Sequence, residues 1–206
     1  ALGPGPVSSN GEYGQANDPV SLTARNLKSQ YQDEAILGFD KTLGDQWVTG
    51  AKVTVRELQV AIDDVADSDR VANKMIANGQ DPASVMIPGS LIFNPGKSNR
   101  FSFANASGRG RTEVTMNKDD WGFTEGAKRK YYALDMYLEH PFDGTWQARV
   151  DYTFSRSYGN TEGQVKSDRG PDDVSQTQDR DAPALMDNAR GLPATNRPHH
   201  PNANAR

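Results

Sequence analysis

The side chains able to do chemistry in this sequence fall into a few groups. Two are acidic: Asp63, Asp64, Asp67 and Asp69, and later Asp172, Asp173, Asp179 and Asp181. Clustered carboxylates on a loop suggest a Ca²⁺ site. The EF-hand form of such a loop needs Gly at its sixth place and an acid at its twelfth, and counting from Asp63 those places hold Ser68 and Lys74. Both groups therefore read as solvated loop acids, the first lying beside a helix start that favours Asp. His140, His199 and His200 are the three histidines. The His199–His200 pair could touch a metal, but no Asp, Glu or Cys stands near it. Ser and Asp are plentiful enough to write a Ser-His-Asp set on paper, yet no Gly-x-Ser-x-Gly turn is present to expose a nucleophile. Gly108-Arg109-Gly110-Arg111 is basic and flexible enough to grip phosphate but lacks the Gly-Lys-Ser/Thr ending of a phosphate-binding loop. Asn105-Ala106-Ser107 matches a glycosylation acceptor. The expectation is a protein that is not an enzyme, with no catalytic, cofactor-binding or metal-ligating residue and no cofactor.

Composition narrows the classes. With 23 basic and 27 acidic residues in 206, the chain is mildly acidic, which argues against a dedicated nucleic-acid binder. It has no cysteine, which excludes disulfides and thiolate metal sites. Hydrophobic residues make up only 35%, and no run of 18 apolar residues exists from which to build a spanning helix. Residues 1–19 are rich in Gly, Pro, Ser and Asn, the stretch from about Gly159 onward is rich in Pro, Asp and Asn, and neither carries periodicity.

The patterned remainder predicts strands. Ala35, Leu37 and Phe39 alternate with Glu34, Gly38 and Asp40, with Ile36 as the exception on the polar side. After Leu43-Gly44-Asp45 the alternation resumes: Trp47, Thr49, Ala51, Val53 and Val55 against Gly50, Lys52, Thr54 and Arg56. A second unit repeats the plan. Tyr132, Leu134, Met136 and Leu138 precede an Asp143-Gly144 turn, and Trp146, Ala148, Val150, Tyr152 and Phe154 follow it. Four strands are expected at 30–43, 46–60, 128–141 and 145–158. Between the hairpins, Ser68 to Asn78 reads as a helix capped by Ser68, with Val71, Met75 and Ile76 on one face. Leu91 to Phe93 and Arg111 to Met116 read as short strands. The expected division is a loop over 1–29, hairpins over 30–60 and 128–158, a long loop over 61–127, and a loop with an irregular tail over 159–206. The long loops are expected to be poorly ordered.

Alternation alone fits two opposite architectures. A soluble sandwich turns its apolar face to a second sheet; an outer-membrane barrel turns it to lipid and keeps charge inside. Strands of about 11 residues, tilted ~45°, rise roughly 26 Å, close to the ~25 Å apolar band of such a barrel. Short turns alternate with long connections. Trp47 and Trp146 stand where strands leave the short turns, and Tyr31, Tyr132, Tyr152, Phe154 and Tyr158 lie toward the other end. The barrel reading makes Lys52, Arg56, Asp135, Glu139, Arg149 and Asp151 a wet lumen; the sandwich reading makes them a solvated outer face.

Several runs resemble the barrel of TonB-dependent outer-membrane receptors of the Oar-like group: Leu27 to Glu34 with Ile36 to Asp40, Ala61 to Asp64, Phe93 to Gly96, Ala127 to Asp135, Trp146 to Gly163, the acidic stretch from Asp168 to Asp181, and Asn188 to His199. The resemblance covers about residues 22–199. It implies an all-β fold of long antiparallel up-and-down strands, a sector of a large barrel in the bacterial outer membrane. Its partners would be membrane lipid, an unidentified extracellular ligand, and the TonB system acting through a plug that this chain lacks. It implies active transport by the parent and no transport by this piece alone. Such receptors have about 22 strands. The run from His200 to Arg206, with neither strand pattern nor terminal aromatic, suggests a truncation or a shifted reading frame near His199. The alternative is a soluble extracellular β-domain that binds glycan or protein.

Overall fold

The computed structural model describes residues 18–161, 180–193 and 196–206. The described chain is all-β apart from short helices, and it divides into two compact units.

The first unit is a five-stranded antiparallel sheet built from residues 29–61, 127–161, 186–193 and 196–206. Its strands are β1 (Tyr31–Leu43), β2 (Trp47–Val60), β7 (Arg129–His140), β8 (Ala148–Gly159) and β9 (His199–Ala205), in the order β1-β2-β7-β8-β9. The first four match the expected strands to within three residues at each end. The expected irregular tail is instead a fifth strand. HHPNANA has no large apolar residues and a proline at its third place, so neither propensity nor hydrophobic alternation announces it; pairing with the long edge of β8 holds it extended. The proline is tolerated because of the register. Gln147 and Arg206 exchange amide hydrogen bonds of 2.9 and 3.0 Å, so the even-numbered residues of β9 turn their N–H toward β8 and the odd-numbered ones turn away. Pro201 occupies an outward place, where its missing N–H costs the β8 ladder nothing.

The short connections differ. Gly44, with φ +62°, serves the tight β1–β2 turn. The β7–β8 turn is wider than Asp143-Gly144 suggests. The Asp143 carboxylate accepts from the Thr145 and Trp146 amides, at 2.8 and 3.1 Å, and delays the strand to Ala148.

The second unit overturns the expectation of disorder in the long connection. Residues 18–28, 62–126 and 180–185 fold around their own core. The chain forms α1 (Pro19–Leu22), a two-stranded sheet of β3 (Asp63–Val65) and β4 (Leu91–Phe93), α2 (Ser68–Ala77), a β5–β6 hairpin (Asn99–Ala104, Arg111–Met116) and α3 (Lys118–Trp121). Val71 and Met75 of α2 are buried with Phe93, Phe101, Phe103, Met116 and Trp121, the last only 1% exposed. The helix starts at Ser68 as expected, but its cap lies one residue earlier: Asp67, not Ser68, accepts from the Arg70 amide. Ile76 points out, leaving Val71 and Met75 as the buried stripe.

A strap from the N-terminal side joins the two small sheets. The Ala24 amide donates to Ile92 of β4 at 3.0 Å and the Arg25 amide to Arg100 of β5 at 2.6 Å. Asn26 accepts from the Arg100 amide at 2.8 Å. Arg111 fastens the strap further, donating to Asp18 and Ser21 at 2.8 Å and to Ser102 of β5. The Ser21 hydroxyl and this guanidinium hold the Asp18 carboxyl below its usual range. At the foot of α2, burial alone pushes the Asp120 carboxyl up, but the Asn117 amide and the Lys74 ammonium at 2.9 Å together pull it below the ordinary value.

Two outcomes follow. Phe101→Ala should cost this unit about 3–5 kcal/mol, read as faster hydrogen exchange at β5 and β6 amides; unchanged exchange would mean that Phe101 does not support the core. Because Asp120 is held low when folded, its stabilisation is full above the ordinary carboxylate pKa and is lost as pH falls toward the folded value. Acid should therefore speed exchange in α2 and α3, and Asp120→Asn should flatten that dependence.

Candidate functional site

The register sorts the five-stranded sheet into two chemically distinct faces. On one face the paired rows read Leu37-Val53-Leu134-Phe154-His199, Phe39-Ala51-Met136-Tyr152-Pro201 and Lys41-Thr49-Leu138-Val150-Ala203. Apart from Lys41, Thr49 and the histidine these are apolar, and nothing described covers them: Leu37 is 80% exposed, Phe39 64% and Val150 52%. Burying such a side chain is worth about 1.5–3 kcal/mol, so a row of them left bare calls for an apolar surrounding. His199 belongs to this face. Its Nδ1 lies 2.6 Å from the Tyr152 hydroxyl, and its ring packs against Phe154, 5.4 Å between centroids.

The other face is charged and internally paired. Glu34 meets Arg56 at 2.6 Å, and Lys52 meets Asp135 at 3.4 Å. Thr153 donates to Asp135 at 2.6 Å, and Arg149 bridges Asp151 and Glu139 at 2.9 and 2.7 Å. Its guanidinium also lies 4.4 Å over the Tyr137 ring. The Tyr137 hydroxyl crosses β2 to donate to Asp40 at 2.6 Å. That crossing depends on Gly50: a Cβ there would stand 2.2 Å from Asp40 Oδ1 and 2.5 Å from the Tyr137 ring. Lys52, Asp40, Asp135, Tyr137, Arg149 and Asp151 line an open hollow of about 440 Å³. All six residues expected to line a lumen thus share one face. Alternation does not distinguish Tyr137, Asp40 and Gly50 from their neighbours, although a glycine inside an alternating strand signals close approach.

At the short-turn end, His140 stacks on Trp146 with centroids 3.9 Å apart, and Trp47 meets both rings edge-on. His140 Nε2 lies 3.9 Å from the Asp143 carboxylate. The Trp146 and Thr145 amides hold that carboxylate below its usual pKa.

The remaining candidates are dispersed. Asp63 pairs with buried Arg180 at 3.7 Å, Asp64 accepts from Ser90 at 2.8 Å, and Asp67 caps α2 while pairing with Arg70 at 2.9 Å. Asp69 sits in the first turn of α2. Asp63, Asp64 and Asp67 are thus employed separately rather than around one ion. Asp172, Asp173 and Asp179 lie outside the described residues; Asp181 lies within them. Among the described residues no group of three or more His, Asp and Glu side chains is placed to hold a metal. Gly108 and Gly110, at φ +73° and +77°, make the β5–β6 turn, and Arg111 is committed to the strap. The Asn105 amide is engaged by Arg109 and Thr112.

With this geometry, one similarity becomes readable. The chain is 25% identical over 176 residues to the TonB-dependent transporter Oar of Myxococcus xanthus. The matched region covers 84% of this chain and 13% of that protein. No protein-family model matches, and no solved structure matches. The relation is that of a distant receptor-like relative, and the all-β sheet is consistent with an outer-membrane setting. Among the described residues no helix is long and apolar enough to cross a membrane, which leaves strands unaddressed.

Gly50→Ala should destabilise the sheet by about 1–3 kcal/mol through forced displacement of the Tyr137 ring. Tyr137→Phe, which keeps the ring and loses only the hydroxyl, should cost less. Denaturant unfolding in micelles compares the two, and equal losses would show that the ring does not pack closely over Gly50.

Proposed function

We propose that the five-stranded sheet is a section of the wall of an outer-membrane β-barrel belonging to a TonB-dependent receptor of the Oar type. The observation that carries this reading is the bare apolar face set against an ion-paired polar one. A strand of 13 residues, such as β1, at ~3.3 Å per residue and ~45° tilt rises roughly 30 Å, enough to cross the apolar band and its borders. In this reading the apolar rows meet lipid, and the Glu34–Arg56, Lys52–Asp135 and Glu139–Arg149–Asp151 sets line a water-filled interior. Trp47 and Trp146 anchor the short-turn end at the interface, as amphipathic rings do.

The same reading assigns the short turns to the periplasmic side and the folded insert between β2 and β7 to the outside, where it is available to an extracellular ligand. A closed wall of this kind takes at least about eight strands, so the sheet works as part of a larger barrel. Ligand uptake would be a property of that barrel, energised by TonB through an internal plug domain. The similarity to the transporter of Myxococcus xanthus supports the assignment.

Nitroxide labels placed singly at Leu37, Val53, Leu134 and Val150, and at Lys52, Asp135, Arg149 and Asp151, test the reading in lipid vesicles. The first set should relax with oxygen and the second with a water-soluble nickel reagent. If the first set is shielded from both reagents, its face meets protein, and the chain is a water-soluble β-domain.

A further inference from the structure

At the long-connection end, the lipid-facing side of the sheet changes from apolar to charged, and the charges are unevenly placed. One row beyond Leu134 and Phe154, Tyr132 pairs with Arg156. The next row joins Asp33, Glu57, Lys130 and Tyr158. The acids therefore stand on β1 and β2, and Glu57 is taken by Lys130 at 3.0 Å. The bases stand on β7, β8 and the lead-in to β9. Ser155 bonds through its amide to the Pro198 carbonyl, at 3.0 Å, and through its hydroxyl to that of Arg197, at 2.7 Å. The β8–β9 register, continued from Phe154–His199, then sets Arg197 directly opposite Arg156. Both are exposed, and neither has an ion-pair partner among the described residues. The Arg190 guanidinium lies 5.3 Å over the Tyr158 ring, close by.

Two like charges set opposite on a sheet repel and destabilise it, and nothing described in the protein offsets Arg156 against Arg197. Two planar guanidiniums side by side are well suited to bidentate contacts with phosphate oxygens. Immediately below them, Tyr132, Phe154 and Leu134 continue the apolar band, an acyl-chain surface joined to an anion site. That continuity favours a lipid over a free anion.

We infer that Arg156 and Arg197, with Arg190 beside them, form a site for the phosphates of a lipid headgroup in the leaflet at the long-connection end. This rests on the membrane-wall reading above, and the test separates the two. The full chain is first floated with phosphatidylcholine vesicles, then transferred to mild detergent, and its binding of a bis-phosphorylated glucosamine lipid is measured by native mass spectrometry. The protein should float and retain one such lipid. Losing two interfacial arginines in Arg156→Gln/Arg197→Gln should weaken retention by roughly 30-fold, while leaving flotation unchanged. Inorganic phosphate at millimolar concentration should not displace the lipid. Failure to float overturns both the wall reading and the site. Flotation with equal retention by the double variant overturns the site alone. Displacement by inorganic phosphate reduces the site to a general anion site and overturns the lipid assignment. Lys52→Gln, on the polar face, controls for the general loss of one positive charge and should retain the lipid like the wild type.

Discussion

Register is the constraint on which the sheet depends. Side chains alternate strictly across a strand, so a slip of one residue between β2 and β7 would carry Val53 and Leu134 to the charged face and strand Lys52 and Asp135 among the apolar rows. The observed pairing avoids this at every row from Leu37 to Phe154. Cross-strand ion pairs reinforce it from one side: Lys52 reaches Asp135 directly opposite, and Arg149 reaches Glu139. The Tyr137–Asp40 bond adds a longer tie that spans β2 and meets β1 only in the correct register. Each pair is exposed and individually weak. Their worth is in discriminating one register from its neighbours, rather than in adding much to total stability.

The second unit solves a different problem. A connection of this length with no structure of its own would carry a large ordering cost and no compensation. Here the cost is offset by aromatic burial around Phe93, Phe101 and Trp121, and by recruiting residues that precede β1. The strap supplies backbone partners to two small sheets whose facing edges would otherwise be open. Arg111 turns that backbone pairing into a side-chain lock. A loop built this way presents a defined surface, which a recognition element needs.

Much of the sheet was legible because its strands are long and one face is uniformly apolar; a two-residue period kept up over eleven residues fits a strand and does not fit a helix. β9 was not legible, because its alternation is written in Ala, Pro and Asn, residues that carry little hydrophobic signal. The second unit was legible only in α2, β4 and β6. In β5, Phe101 and Phe103 alternate with Arg100 and Ser102 over only six residues, too short a run to stand out from the surrounding loop. The lock between Arg111 and Asp18 joins residues 93 apart, a relation no local pattern encodes. Among the candidate sites, the polar face of the sheet was readable as a set. The roles of Asp63 and Asp64 were not, since their partners Arg180 and Ser90 come from distant segments.

The orientation of Pro201 makes the two borders of the sheet unequal. β1 offers an unbroken series of donors and acceptors along thirteen residues, whereas the outer side of β9 has a gap in its donors at the proline. Growth by strand addition therefore has a polarity: a newcomer gains a full set of bonds at β1 and an incomplete one at β9. Copies stacking edge to edge in a repeating head-to-tail manner would have to use the deficient border at every joint. A single proline thus makes the β9 border the poorer template for pairing and leaves β1 the better one.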